Sequence, residues 1–431
     1  MVNLVIIDCH DLGQHLGVYG WETVRSPHLD AIAKKGVRFE NSFCTAPQCS
    51  PSRAALYTGR YPHANGMFGL AHDPFNWRLY PGEIHLAQYL REAGYETTLI
   101  GFQHVTRHEP TEVQKLGFDH VLFENDAERV GDLVENHLRQ TSRQPFMLNI
   151  GFWVPHRDEN GAFKQAPPDS TFGVQVPLYL PQTPEASQEF AQFQGVIHQM
   201  DRVVGRIWSL LEDLLLLKNT WLIFTTDHGI AMPRAKCTLH DAGIETALIM
   251  YAEPFNLTGG KVFYEMISNV DLVPTILEML NLPQPGHLHG RSFERLLSGD
   301  AYEPREHIFA EKTFHTAYEP QRAIRTERYK LIWNVEVGIM NVPGDIMRSP
   351  IFPQMINSVV QELPPFELYD LLLDPLEYRN LIAEPEYADL ARDLKAKLLQ
   401  WMRETGDPIL QSPVSSPFYR AALNSFTKEA Q

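Results

Sequence analysis

Short apolar runs alternate with longer helix-like stretches over the first three-quarters of this chain. That alternation limits its fold more than any other feature. Leu4–Ile7, Thr97–Ile100, Phe146–Ile150, Trp221–Thr225 and Ala247–Tyr251 are each short, apolar and bounded by turn or polar residues, as buried strands are. Between them lie helical segments. Ser26 and Pro27 supply an N-cap and a first turn for a helix that runs to Gly36. His85–Ala93 ends against Gly94, a C-cap residue. Ala186–Leu217 carries helical apolar spacing along its length, and Val273–Leu280 is a shorter case. Strand–helix alternation predicts an α/β fold with a mostly parallel central sheet flanked by helices.

The last quarter changes character. Residues 323–333 read as two strands around a short polar turn, and a loop rich in Pro and Met follows over Val342–Pro353. Glu367–Asp370 and an amphipathic helix over Pro385–Glu404 complete the pattern of a smaller α+β unit. The expected division is a catalytic α/β domain over 1–318 and a C-terminal subdomain over 319–431, with a small antiparallel sheet, a helix and a tail. The tail after Gly406 has weak periodicity and is expected to wrap the surface or stay disordered.

Charge narrows the partners. Lys and Arg number 37 against 53 Asp and Glu, a formal net charge of −16 over 431 residues. A duplex nucleic acid needs a basic face to displace counterions, so it is excluded as the favoured partner. An acidic membrane surface is disfavoured on the same ground. No apolar run reaches the ~18 residues of a membrane span, and Leu210–Leu217 is broken by Glu212 and Asp213. The start has no basic n-region or cleavage site, which predicts a cytoplasmic protein. Bulk charge bears less on a small anionic substrate, because a cleft can be locally positive. The four cysteines, Cys9, Cys44, Cys49 and Cys237, are too scattered for a disulfide framework and form no CxxC pair.

Cys49 stands apart from the other three. Pro51 suits a first helical turn and Ala54-Ala55-Leu56 continue it, so the cysteine falls at a helix start. A side chain there faces free backbone N–H groups and the positive end of the helix dipole. Arg53 follows about one turn later on the same side. Those residue types in that order suit a nucleophile and an anion.

The segment resembles the signature of formylglycine-dependent (type I) sulfatases of the alkaline phosphatase superfamily. Cys-x-Pro-Ser-Arg followed by Thr-Gly-Arg is matched by Cys49, Pro51, Ser52, Arg53, Thr58, Gly59 and Arg60. Further matches run in family order: Ser26 to Asp30 with Gly36 to Phe39, Val270 to Thr275, Arg325 to Lys330, and Glu367 to Asp370 with Asp374-Pro375. Pro155-His156-Arg157, and Phe314-His315 through Tyr318, Pro320 and Arg322, look most like the N-sulfoglucosamine sulfohydrolase (heparan sulfamidase) branch. The resemblance implies that a maturation enzyme oxidises Cys49 to Cα-formylglycine. The hydrated aldehyde then attacks sulfur through one oxygen, and its second hydroxyl lets the aldehyde re-form as sulfate leaves.

It also implies a divalent metal. Asp8-Cys9-His10-Asp11 ends the first strand, and Trp221–Thr225 runs into Thr226-Asp227-His228. Carboxylates gathered at strand ends repel unless a cation lies between them. The family pattern has Asp-Asp at the first position, where this chain has His10-Asp11. His10, Asp11, Asp227 and His228 are the expected ligands, with Asp8 in reserve. Calcium follows from the resemblance, while two imidazoles favour manganese, magnesium or zinc.

The other expected site residues come from the same resemblance. His104 falls on the histidine that assists the formylglycine hydroxyl, in Gly101-Phe102-Gln103-His104, where Phe102 replaces the usual sulfate-binding lysine. His156 falls on the general acid and Lys236 on the later sulfate-binding lysine. Arg157, His240 and His315 are expected to line the substrate pocket. The implied activity is hydrolysis of a sulfate ester or sulfamate of a small sugar. The alternative is phosphonate monoester or phosphodiester hydrolysis at the same site, favoured by Phe102 and His228. A homo-oligomer is left open.

Overall fold

The structure, a computed structural model, describes residues 1–140, 145–338 and 342–429. Eight strands form the main sheet. They are β1 (Asn3–Cys9), β2 (Val37–Phe39), β3 (Glu96–Gly101), β4 (His120–Leu122), β5 (Phe146–Phe152), β6 (Thr220–Thr226), β7 (Leu248–Tyr251) and β8 (Lys261–Phe263). Their spatial order is β4-β3-β5-β1-β6-β7-β2-β8. All neighbours are parallel except β6 with β7 and β7 with β2. Strands β1, β5 and β6 are buried from end to end, as central strands covered on both faces must be.

The two faces share β1 residue by residue. Val5, Ile7 and Cys9 enter one apolar core, with the helices Ala127–Gln140 and Pro184–Asp213. Leu4 and Ile6 enter the other, with helix α2 (Cys49–Thr58) and the helix Leu272–Met279. This is the period of two expected of a strand. Helix α1 (Pro27–Lys35) starts where the sequence predicts, but its cap comes from elsewhere. The Asp201 carboxylate on the long helix accepts the N–H groups of His28 (3.1 Å) and Leu29 (2.7 Å).

A second, antiparallel sheet runs in the order β9 (His307–Phe314), β10 (Tyr318–Thr326), β11 (Tyr329–Asn334) and β12 (Phe366–Asp370). The helix Ala388–Glu404 covers it with Leu394, Leu398 and Trp401. This sheet begins at His307, ahead of the 318/319 division read from the sequence. Strand β9 escapes a sequence reading because buried charges break its apolar pattern. Glu311 takes His63 at 2.9 Å, and Lys312 takes the Cys237 carbonyl at 2.9 Å.

Two segments differ from expectation. Val342–Pro353 is not all loop: it holds a short helix, Gly344–Met347, and leads into the helix Phe352–Val359. Phe352, Met355 and Val359 recur at helical spacing and join the main core. The tail is ordered into a helix over Pro417–Glu429.

Candidate active site

Strands β3, β5, β1 and β6 lie side by side and parallel, so their carboxyl ends open onto one place. That is where open α/β sheets put ligand sites. Gly101 allows the turn after β3: its φ is +96°, and a Cβ there would lie 2.2 Å from the Gly151 carbonyl oxygen. The turn carries Phe102 and His104 inward, so His10 has ring neighbours Phe102 at 4.7 Å, His104 at 5.9 Å, Trp153 at 5.2 Å and His156 at 5.2 Å.

The acidic centre is fully buried. Asp227 Oδ1 accepts the N–H groups of Asp11 and His228, each at 2.9 Å. Its Oδ2 takes Arg53 Nε at 3.2 Å and lies 3.0 Å from His10 Nδ1. Asp11 Oδ1 lies 3.1 Å from His228 Nε2, yet neither it nor the His10 ring nitrogens have a hydrogen-bond partner among the described residues. His228 Nδ1 donates to the Gly229 carbonyl at 2.9 Å, which leaves the Nε2 lone pair facing Cys49 and Asp11. Burial brings the His10 imidazole down to about 3, so it is neutral. Buried oxygen and nitrogen donors gathered here could hold a divalent cation. The ligand atoms of Asp11, Cys49, Asp227 and His228 all lie within 4.8 Å of one another.

Asp8, the reserve ligand, is occupied otherwise. Its carboxylate takes the Arg53 guanidinium, the Tyr57 hydroxyl and, at 3.0 Å, Asn149 Nδ2. It therefore fixes Arg53, whose remaining terminal nitrogen stays buried without a hydrogen-bond partner among the described residues.

Cys49 is the first residue of α2, a free thiol 3.4 Å from His228 Nε2. Burial pushes this thiol well up, and the Lys236 ammonium offsets that only in part. Ser52 hooks the helix to β6 by donating to the Asp227 carbonyl. Lys236 Nζ reaches Asp11 Oδ2 at 2.8 Å and His156 Nε2 at 3.2 Å. Desolvation alone would lower this lysine, but the carboxylates of Asp11 and Asp345 hold it well above its ordinary value. His156 Nδ1 donates to the Arg157 carbonyl at 2.6 Å. His104 Nε2 lies 2.7 Å from His72 Nδ1. Burial, then the neighbouring His10 and His72 rings, keep His104 well below its ordinary value.

A cavity of about 380 Å³ joins Cys49, His104, His156, Lys236 and His315. Of Arg157, His240 and His315, the three residues expected to line the substrate pocket, His315 lines this cavity and the other two do not. Arg157 is fully buried, its guanidinium held by Glu189, the Ala231 and Gly161 carbonyls and Met232. His240 lies 3.9 Å from Glu367 and lines a separate cavity of about 740 Å³. Pocket residues that went unassigned in the sequence include His72, His108, Trp153, Asp345 and Arg348. An aromatic just past a strand end was a signal for Trp153. Nothing local marked Asp345, since its helix is one turn long.

Residues 3–282 match the sulfatase family, and residues 234–340 match the C-terminal region of N-sulphoglucosamine sulphohydrolases. The chain belongs to the sulfatase family. This sulfatase is 30% identical to human N-sulphoglucosamine sulphohydrolase, over 95% of this chain and 92% of the relative. A solved structure in complex with its substrate D-glucosamine-2-N,6-O-disulfate aligns with a TM-score of 0.72 at 18% identity, covering 96% of this sulfatase and 99% of that chain. The phosphonate monoester hydrolase of Agrobacterium radiobacter aligns with a TM-score of 0.71 at 19% identity, covering 94% and 96%. The fold is alkaline-phosphatase-like, and this sulfatase is a hydrolase of sulfate esters or sulfamates.

Proposed function

We propose that this sulfatase removes the sulfate group of a small sulfated sugar, with residue 49 acting as formylglycine. The observation that carries the reading is the placement of Cys49. It sits at the start of α2, within reach of Asp11, Asp227 and His228, and opens onto the cavity. Once hydrated, the aldehyde would supply the attacking oxygen. His10, Asp11, Asp227 and His228 would hold a divalent cation, which would draw charge from the sulfate oxygens. Arg53, through its unpartnered nitrogen, and Lys236 bind the anion. His156 Nε2 accepts from Lys236 Nζ, so the proton passed through this ring to the departing oxygen or nitrogen comes from the Lys236 ammonium. His104, stacked on His72, takes the proton from the hydroxyl of residue 49. The maturation enzyme is a required partner. Short sugars fit the 380 Å³ cavity and the net charge of −16 better than a long sulfated chain.

Two measurements test this together: peptide mass spectrometry across residue 49, and kcat/KM on an aryl sulfate against an aryl phosphonate. An aldehyde with preference for the sulfate is expected. A thiol in the active protein, or a much larger kcat/KM on the phosphonate, overturns the reading.

A further inference from the structure

Asp345 belongs to a segment outside both family matches, which end at residues 282 and 340. The short helix Gly344–Met347 brings it to the pocket of Cys49, where its Oδ2 lies 3.1 Å from Lys236 Nζ. Lys236 in turn lies 3.2 Å from His156 Nε2. A carboxylate is thus built into the leaving-group side of a pocket made for an anion. Burial works against its charge, but the Lys236 ammonium more than offsets that and keeps it ionised.

Its support is built in as well. Ser349 Oγ donates to Glu189 Oε2 at 2.9 Å, and Glu189 is held by Arg157 at 2.5 Å. Ile346, Ile351 and Phe352 enter the main core. The buried Arg157 therefore acts on this pocket through Glu189 and Ser349, as an anchor of the segment that carries Asp345.

We infer that Asp345 is a specificity-determining residue that selects a sulfate bonded to nitrogen over one bonded to oxygen. This rests on the hydrolase reading above. The two substrate types differ at the bridging atom. In a sulfamate that atom carries a hydrogen, which an ionised carboxylate accepts. In a sulfate ester it carries only lone pairs, which the carboxylate repels. After the S–N bond breaks and His156 has supplied a proton, the product is an amine. In its protonated form it pairs with Asp345 as a charge-assisted hydrogen bond. A buried group built for an N–H discriminates strongly against an analogue lacking it.

Phenylsulfamate and phenyl sulfate form the test pair, since they differ only in the bridging NH or O. Their kcat/KM ratio is compared in the metal-loaded, full-length protein and in Asp345→Ala and Asp345→Asn. Thermal melts and the aldehyde content of residue 49 are recorded for each. The sulfamate-to-sulfate ratio should fall about 100-fold in Asp345→Ala and less in Asp345→Asn, which keeps one acceptor. An unchanged ratio, with both substrates falling alike, would mean that Asp345 serves only to position Lys236, and the inference fails. In the unaltered protein D-glucosamine should inhibit at least about tenfold more tightly than D-glucose. Equal inhibition overturns the inference without any variant. A protein that ignores both sulfur substrates and cleaves an aryl phosphonate overturns the proposed sulfate-removing activity instead.

Discussion

Cys49 Sγ and His228 Nε2 lie 3.4 Å apart although 179 residues separate them in sequence. The contact joins the start of a helix to the end of a strand. It puts the residue to be modified against the expected metal ligands. Replacement of Cys49 should therefore abolish turnover without removing the cation. Cys49→Ala is expected to lose at least about a thousand-fold in kcat/KM. Metal content by elemental analysis should stay near that of the unaltered protein. Residual activity within tenfold would rule out residue 49 as the nucleophile.

His10 replaces the carboxylate of the family pattern, and the structure keeps it beside Asp227. Exhaustive chelation should suppress turnover, and a divalent cation should restore it. Imidazole ligands favour manganese or zinc over calcium, so the order of rescue should change in His10→Asp, with calcium gaining on the others. Rescue profiles that coincide in the two proteins would place the cation elsewhere.

Arg157 is fully buried against Glu189, which leaves an uncompensated carboxylate if the guanidinium is removed. Arg157→Ala should cost about 3–5 kcal/mol. A double variant that also replaces Glu189 with Ala should recover part of the loss. Thermal or denaturant melts would read both. Two additive losses would show that the pair is not coupled.

Glu367 on β12 accepts from Asn334 at 2.7 Å and from the Tyr369 hydroxyl at 2.5 Å. Burial would raise this carboxyl, but the neighbouring His240 and the hydrogen bonds from Tyr369 and Asn334 bring it down to about 2. The folded value lies below the unfolded value of about 4.3. The stability it lends is therefore present above that unfolded value and is lost as pH falls toward 2. The melting temperature of Glu367→Gln should fall short of the unaltered protein at pH 7, and the gap should narrow at pH 3. A gap that widens on acidification would contradict this.

Much of the main fold was legible because its signals are local. The five strands read from the sequence are all strands, since short apolar runs between turn residues have few other stable states. Strand β9 was not legible, because Glu311 and Lys312 are tolerated inside only by partners distant in sequence. The helix Phe352–Val359 lay hidden behind Pro343, Pro350 and Pro353, though Pro353 sits in its first turn. In the site, Cys49, His104, His156 and Lys236 line one cavity, and Arg53 reaches Asp227. Arg157 and His240 carried the right residue type next to the right elements, yet their side chains turn to Glu189 and toward Glu367.

The sequence by itself determined the α/β class, the nucleophile segment and the two acidic strand ends, because periodicity and order along the chain carry that information. Only the tertiary structure decided which polar groups share a pocket. It sent Asp8 to Arg53 and buried Arg157 under a segment read as loop. It also set Asp345 beside Lys236. The reason is physical. A buried charge must find a partner, and the nearest partner in space bears no relation to the nearest in sequence.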